Sequence, residues 1–162
     1  FINKGYKKIA LITTVDYVSV GKLRTDGYTK AMMDHDLKVD PNLILKIEDT
    51  DNFDAQIETL IRDQKPEAIF AVNEIFAVTA IKIAGKLGLQ IPTDISIIGF
   101  TDGIISKYST PSISTVSQNG VKMGEKAAKM LIERLENEEM EIEEHYKTEV
   151  IETELVERES TH

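Results

Sequence analysis

Residues 94–118, DISIIGFTDGIISKYSTPSISTVSQ, decide the fold, because an apolar strand pattern leads directly into a polar, glycine-containing loop. The isoleucines that begin at Ile95 are β-branched and almost uninterrupted, which is typical of a strand buried on both faces of a parallel sheet. Thr101 and Asp102 follow at the carboxyl end of this predicted strand. Open α/β sheets bind ligands at that end, so these two side chains are candidates for a ligand contact. The alternative is a solvated turn after a core strand.

Strand and helix patterns alternate along the chain before this stretch. Short apolar runs predict strands at residues 8–14, 43–47 and 68–72, and each is followed by a segment with one apolar face. The apolar face of the first such helix consists of Leu23, Gly27, Tyr28, Ala31 and Met32. This alternation predicts right-handed crossovers and a doubly wound α/β fold, a parallel sheet with helices on both faces.

The chain after the loop predicts three further elements. Residues 113–116 form a short strand pattern, and residues 119–135 form a helix pattern with a broad apolar stripe. The centre of this stripe consists of Val121, Gly124, Ala128, Leu131 and Leu135. We expect a stripe of this width to be buried against another surface. Residues 146–156 alternate in polarity, as a half-buried edge strand does.

Composition narrows the possible functions. A chain of 162 residues has room for one domain or two small lobes. Its net charge of −9 argues that the chain does not by itself bind the phosphate backbone of a nucleic acid. Much of the acid lies between Glu133 and Glu159, where we expect a solvated linker or a frayed helix end. The absence of cysteine suits a reducing cytoplasm, and no apolar run is long enough to span a membrane.

The sequence offers no set of residues that would support catalysis. His35, His145 and His162 are scattered, and none shares a motif with acidic or cysteine ligands of a metal. Neither a P-loop nor a dinucleotide-binding glycine pattern is present. We therefore expect a protein that binds a ligand without chemistry, with no cofactor and no metal.

Several motifs together resemble the sensor domain of the lactose-repressor (LacI/GalR) family of bacterial transcription regulators. They are GYKKIA at 5–10, RTDGY at 24–28, PEAIFAVNE at 66–74 and the run from 88 to 100, GLQIPTDISIIGF. Thr110-Pro111, Thr115-Val116, Gln118 and Met123-Gly124 continue the resemblance. Each motif alone is weak evidence, but their order and spacing are specific.

The resemblance implies a periplasmic-binding-protein-like (type I) sensor of two lobes that close on a small effector, often a sugar. Residues 1–111 would form the carboxyl-terminal lobe, residues 112–138 a crossover strand and helix of the other lobe, and residues 139–162 an acidic linker and a returning strand. It further implies a cytoplasmic homodimer that reaches operator DNA through a helix-turn-helix headpiece. Because the chain begins with Phe1, at what looks like the tail of a helix, we expect a fragment that lacks this headpiece. The alternative is a periplasmic sugar-binding protein of a transport system.

Site residues carry over position by position from the family motifs. Arg24 matches the effector-contacting arginine, whose five donors suit hydroxyls, a carboxylate or a phosphate; a surface helix cation is the alternative. Asn73 matches an asparagine at a strand end, which either meets the ligand or caps the next helix. Glu74 stands where the family more often has aspartate and is a candidate for ligand contact or for capping.

The loop after the central strand departs from the family pattern. The family commonly has an Asp-Asp or Asp-Asn pair there, with the first aspartate reaching the effector, whereas this chain has Thr101 and Asp102. We therefore expect a neutral hydrogen bond from Thr101 to the effector, and a structural or peripheral role for Asp102. Phe100 is a candidate for stacking on a sugar face, although a core aromatic is the simpler interpretation.

Overall fold

A computed structural model of the chain describes residues 1–15, 19–48, 52–139 and 147–161. Its strands are β1 (Ile9–Thr14), β2 (Ile44–Ile47), β3 (Ala68–Ala71), β4 (Ser96–Phe100), β5 (Ser114–Ser117) and β6 (Glu154–Val156). They form one sheet in the order β2-β1-β3-β4-β5-β6. All neighbouring strands are parallel except β5 and β6, so the sheet is mixed and mostly parallel, as the alternation of strand and helix patterns predicts.

Five α-helices connect these strands. They are α1 (Ser19–Asp34), α2 (Phe53–Thr59), α3 (Glu74–Lys86), α4 (Ile104–Tyr108) and α5 (Gly120–Glu139). A π-helical turn at Leu60–Gln64 extends α2. The short helix α4 was not anticipated from the sequence, because five residues are too few to show a helical period.

The strand order places the helices on different faces of the sheet. Along the sheet, the connection from β1 to β2 moves toward one edge, and the connections from β2 to β3 and from β3 to β4 move toward the other edge. Because such crossovers are right-handed, α1 lies on one face of the sheet and α2 and α3 lie on the opposite face. Phe53 of α2 and Phe76 of α3 meet edge to face, with ring centroids 5.4 Å apart. The core fills the space between these layers, with fully buried side chains such as Leu11, Ile69 and Ile97.

Helix α1 buries less of its predicted face than its sequence indicates. Tyr28 and Met32 are buried, and the Tyr28 hydroxyl donates to the Ile9 carbonyl oxygen at 2.8 Å. Burial, with a contribution from the charge of Asp40, raises the pKa of Tyr28 to about 12. Leu23 is 69% exposed, and Gly27 and Ala31 are also exposed, so the described residues bury only part of this apolar face. No described helix lies beside α1 to cover that side.

The structure bears on two predictions for the last part of the chain. The apolar stripe of α5 is exposed among the described residues, with Val121 77% and Leu131 58% accessible, so it is not buried within this part of the chain. The edge strand predicted at 146–156 is confined to Glu154–Val156, and Lys147 to Thr153 form no described strand. Alternating polarity is a weak guide at an edge, where one side of the strand has no neighbour. The expected linker lies partly outside the described residues, at 140–146.

Candidate functional site

The candidate site lies at the carboxyl edge of the sheet, where β3 and β4 end and the early turns of α1 approach. Arg24 of α1 reaches across to this edge, and its Nη1 donates to the Val72 carbonyl oxygen at 2.7 Å. Its guanidinium carbon lies 3.9 Å from the centroid of the Phe100 ring, which is a cation–π contact. Phe100 in turn lies beside Phe70, with ring centroids 6.4 Å apart.

The Arg24 guanidinium is therefore held in place and still has N–H donors that no described residue accepts from. A guanidinium carries five N–H donors, and among the described residues only the Val72 carbonyl accepts from it. Burial lowers the pKa of Arg24 from its ordinary value of 12.5. A half-buried cation that is held over an aromatic ring, and whose other donors bind no described residue, is suited to a ligand with several oxygen acceptors.

Asn73 joins the end of β3 to the start of α3. Its backbone is extended, and its Oδ1 accepts from the Phe76 backbone N–H at 2.8 Å, so it is the N-cap of α3. Of the two roles that the sequence allows for Asn73, the structure contains the capping one. The side-chain amide nitrogen is not engaged by any described residue and remains able to donate.

Glu74 holds the neighbouring loop rather than capping its own helix. Its Oε1 accepts from the Ser106 backbone N–H at 3.0 Å and from the Ser106 hydroxyl at 2.6 Å. Ser106 is fully buried. Gly103 packs so closely that a Cβ there would lie 2.3 Å from Glu74 Oε2, so any side chain at this position would displace the carboxylate. The carboxylate thus ties the start of α3 to the start of α4.

Thr101 adopts a backbone conformation that is rare for a β-branched residue. Its φ is +77°, in the left-handed region, and its N–H donates to the Val116 carbonyl oxygen at 3.0 Å. The side chain is exposed, and no described residue hydrogen-bonds its hydroxyl. Strained residues of this kind occur where the surrounding structure imposes the conformation, often at ligand-binding sites.

Asp102 is held by groups from two other segments. Its Oδ1 accepts from Arg158 Nη2 at 2.6 Å and from the Thr115 hydroxyl at 3.0 Å, and Lys107 Nζ lies 3.8 Å from Oδ2. Burial raises the pKa of Asp102, but the hydrogen bonds from Arg158 and Thr115 and the nearby positive charges outweigh it and leave the pKa below its ordinary value. Asp102 is therefore a carboxylate that joins β4, β5 and the end of the chain.

Arg158 is the important residue that the sequence reasoning missed. Besides pairing with Asp102, its Nη1 donates to the Ile113 carbonyl oxygen at 2.8 Å. The residues around it also dock on the sheet, because Ser160 is fully buried and its hydroxyl donates to the Ile97 carbonyl oxygen at 2.6 Å. The available signal was a single arginine between Glu157 and Glu159 in a strongly acidic segment.

The structure therefore groups the six predicted site residues at one edge but gives them different surroundings. Arg24 and Phe100 contact each other, and Thr101 is exposed beside them in sequence. The oxygens of Asn73, Glu74 and Asp102 accept hydrogen bonds from the protein itself. Among the described residues, no group of three or more histidine or acidic side chains is placed to hold a metal ion. No helix in that part of the chain is long and apolar enough to cross a membrane.

Comparison with known proteins identifies the family. The periplasmic binding protein-like domain matches residues 1–161, so the chain belongs to that family. The repressor PurR of Pasteurella multocida is 33% identical over 142 residues, 86% of this chain and 42% of the relative. The ribose operon repressor of Haemophilus influenzae is 32% identical over 165 residues, 98% of this chain and 47% of the relative.

Solved structures agree with this assignment. A LacI-family regulatory protein from Chloroflexus aggregans superposes with a TM-score of 0.87 at 30% identity, covering 99% of this chain and 57% of that one. Within the wider family the chain is thus a LacI/GalR effector-binding domain, the sensor part of a regulator and not a transport binding protein. It spans less than half the length of the two curated relatives.

Proposed function

We propose that this chain senses a small, hydroxyl-rich effector, a sugar or sugar derivative, on behalf of a cytoplasmic LacI-type repressor. The effector would bind at the carboxyl edge of the sheet, in a cleft closed by a second lobe. The observation that carries the proposal is the Arg24 guanidinium, which lies over the Phe100 ring and, among the described residues, donates only to the Val72 carbonyl oxygen. A guanidinium held in place presents its N–H donors in a fixed geometry, which suits a ligand with several oxygen acceptors.

The roles within the site divide between contact and support. Arg24 and Thr101 would contact the effector, and the free amide nitrogen of Asn73 would add a donor. Phe100 would orient Arg24 rather than stack on the effector, because the guanidinium already covers one of its faces. Glu74 and Asp102 would hold the loops that present these groups. Among the residues that the structure describes, no nucleophile and base are arranged for a reaction, and we include binding without turnover in the proposal.

The second lobe and the DNA-binding part would lie in other segments of a longer protein. We assign residues 1–111 to one lobe, residues 112–138 to the crossover into the other lobe, and residues 139–162 to the linker and returning strand. The exposed stripe of α5 supports this division, because an amphipathic helix of twenty residues needs a partner surface. The homodimer is also part of the proposal, and light scattering of the longer gene product at micromolar concentration tests it.

The test of the site is a thermal-shift screen of sugars on the longer gene product. A ligand that binds the folded state raises the melting temperature. Arg24→Met should abolish the shift given by the active sugar, because the donors are lost while the aliphatic stem is kept. Arg62→Met, which removes a cation that is 55% exposed on the opposite face, is the matched control and should keep the shift. An equal shift in wild type and Arg24→Met would refute the assignment of Arg24.

A further inference from the structure

The charge around Asp102 is opposite in sign to the charge of the chain as a whole. The chain carries a net charge of −9. Asp102 nevertheless faces two cations, since Arg158 Nη2 lies 2.6 Å from its Oδ1 and Lys107 Nζ lies 3.8 Å from its Oδ2. The described residues around this carboxylate therefore more than neutralise it.

Glu74 is the second carboxylate of the candidate site, and it is turned toward the loop before α4. Its Oε1 accepts from the backbone N–H and from the hydroxyl of Ser106. Its Oε2 is the atom that a Cβ on Gly103 would meet first. Both carboxylates of the site are thus engaged by other groups of the protein, and among the described residues neither is paired with Arg24.

Arg24 is consequently a cation without a described carboxylate partner. Its Nη1 donates to a neutral acceptor, the Val72 carbonyl oxygen, and the Phe100 ring covers one face of the guanidinium. The side chain is half-buried, and burial of a charge is unfavourable unless the charge is paired. Val72 lies just before the start of α3, and the positive partial charge of a helix N-terminus adds to the positive potential at this point.

The donors that Arg24 leaves unused form a planar fork. Nε and Nη2, which lie side by side on one edge of the guanidinium, bind no described residue. The parallel N–H groups of such an edge match the two oxygens of a carboxylate or of a phosphate group. Sugar hydroxyls can also accept these hydrogen bonds, but they bring no negative charge. An anionic group therefore satisfies both the donors and the charge of Arg24.

Thr101 is a neutral residue at a position whose backbone suits an acidic one. It directly follows Phe100, against which the guanidinium lies, and its side chain is exposed. Its φ is +77°, and aspartate and asparagine adopt this left-handed conformation more readily than a β-branched residue does. A threonine here adds no carboxylate beside Arg24, so the guanidinium stays available to an anion from the ligand.

We propose that the effector carries an anionic group, a carboxylate or a phosphate, that binds the Nε–Nη2 edge of Arg24, and that the neutral side chain of Thr101 makes the site selective for such an effector. This inference rests on the proposed function, because it specifies which sugars the same site accepts. They are sugar acids or sugar phosphates, and not neutral sugars.

Matched sets of ligands, tested on the longer gene product, examine this selectivity. Glucose, galactose and ribose are each compared with their sugar acid and with their phosphate ester. Inorganic phosphate, compared with chloride at equal ionic strength, is the smallest anionic probe. Binding is measured as a rise in melting temperature and, for ligands that respond, by calorimetry. We expect the anionic member of a set to bind at least about tenfold more tightly than the neutral sugar at low salt, because a partly buried charge pair is only weakly screened.

Two substitutions of Thr101 separate charge from shape. Thr101→Asp places a carboxylate beside Arg24 and should weaken binding of the anionic ligand about tenfold, which removes the preference. Thr101→Asn has nearly the same shape without the charge, and it should keep the preference for the anion. Asp16 precedes α1 and lies outside the described residues. A preference that is absent from wild type and appears only in Asp16→Asn would show that Asp16 pairs with Arg24, and would overturn the proposal.

The remaining outcomes distinguish this inference from the proposed function. A neutral sugar that binds as tightly as its acid and its phosphate ester would overturn the inference and leave sugar sensing intact. A preference for the anion that survives in Arg24→Met or in Thr101→Asp would also overturn it. The same holds if neither inorganic phosphate nor any sugar anion stabilises wild type more than Arg24→Met. Phosphate binding that requires Arg24, without a response to any sugar, would support the inference and refute sugar sensing.

Discussion

The pair formed by Arg158 and Asp102 should be a major source of stability, and Arg158→Met is the change that measures it. Both side chains are only 17% exposed. The substitution removes a charge-assisted hydrogen bond of 2.6 Å to Asp102 and a bond of 2.8 Å to the Ile113 carbonyl oxygen, and it leaves the carboxylate with Thr115 and a more distant Lys107. Adding these losses gives a destabilisation of about 3 kcal/mol.

Urea unfolding of wild type, Arg158→Met, Asp102→Asn and the double variant would give the coupling energy of the pair. We expect a coupling of about 1.5 kcal/mol, and for Arg158→Met a fall in melting temperature of roughly 6–12 °C for a protein of this size. Arg62→Met is the matched control, because Arg62 pairs with Glu58 on the surface, where the two side chains are 55% and 44% exposed. Its effect should be no more than about 0.5 kcal/mol.

The pH dependence provides a second check on the same pair. Because the pKa of Asp102 is lowered in the folded state, its contribution is fully present above its unfolded pKa and is lost as pH falls through the folded pKa. The cost of Arg158→Met should therefore be constant near neutral pH and shrink as the pH falls below the ordinary pKa of aspartate, about 3.9. A cost equal to that of Arg62→Met at neutral pH, or one that grows in acid, would refute the reasoning.

Two further substitutions test the loop between β4 and α4. Thr101→Gly should raise the free energy of unfolding by roughly 1 kcal/mol, because relief of the strain at φ +77° exceeds the added entropy of the unfolded chain. The control Thr101→Val keeps the strain and should not raise the free energy of unfolding. Urea unfolding that finds Thr101→Gly less stable than wild type would contradict this prediction. Gly103→Ala should cost about 2 kcal/mol, because its Cβ meets Glu74 Oε2 at 2.3 Å while Ser106 holds that carboxylate. In the same assay, Gly103→Ala should lower the free energy of unfolding by less when Glu74→Ala is also present, because the carboxylate is then gone. If the two losses simply add, the close contact between Gly103 and Glu74 is contradicted.

Much of the fold was predictable because its signals are local. The isoleucines of β4, the run from Ile9 in β1 and the periodic apolar residues of α3 each encode their own element within a short window. Those elements in alternation imply the mostly parallel sheet. The strand prediction failed before Glu154, where the polarity alternates without a strand, because alternation alone does not supply a neighbouring strand to pair with. An apolar face likewise does not ensure burial, since Leu23 of α1 is apolar yet exposed.

The site was predictable in its location and in part of its membership. Family motifs placed Asn73 and Thr101 at strand ends and Arg24 on a helix, and the structure puts all three at the same edge of the sheet. The sequence left open whether Asn73 caps α3 and gave no indication that Glu74 binds Ser106, since both contacts depend on the orientation of a side chain relative to a neighbouring segment. Whether these residues contact an effector stays a prediction.

The sequence by itself determined the order of strands and helices and the membership of the LacI/GalR family, because hydrophobic period and motif spacing are properties of neighbouring residues. Only the tertiary structure decided which side chains meet. Arg24 is 48 positions from Val72, and Arg158 is 56 positions from Asp102. Such pairs leave no local pattern, because they form only when the crossovers bring separate strand ends to one edge of the sheet.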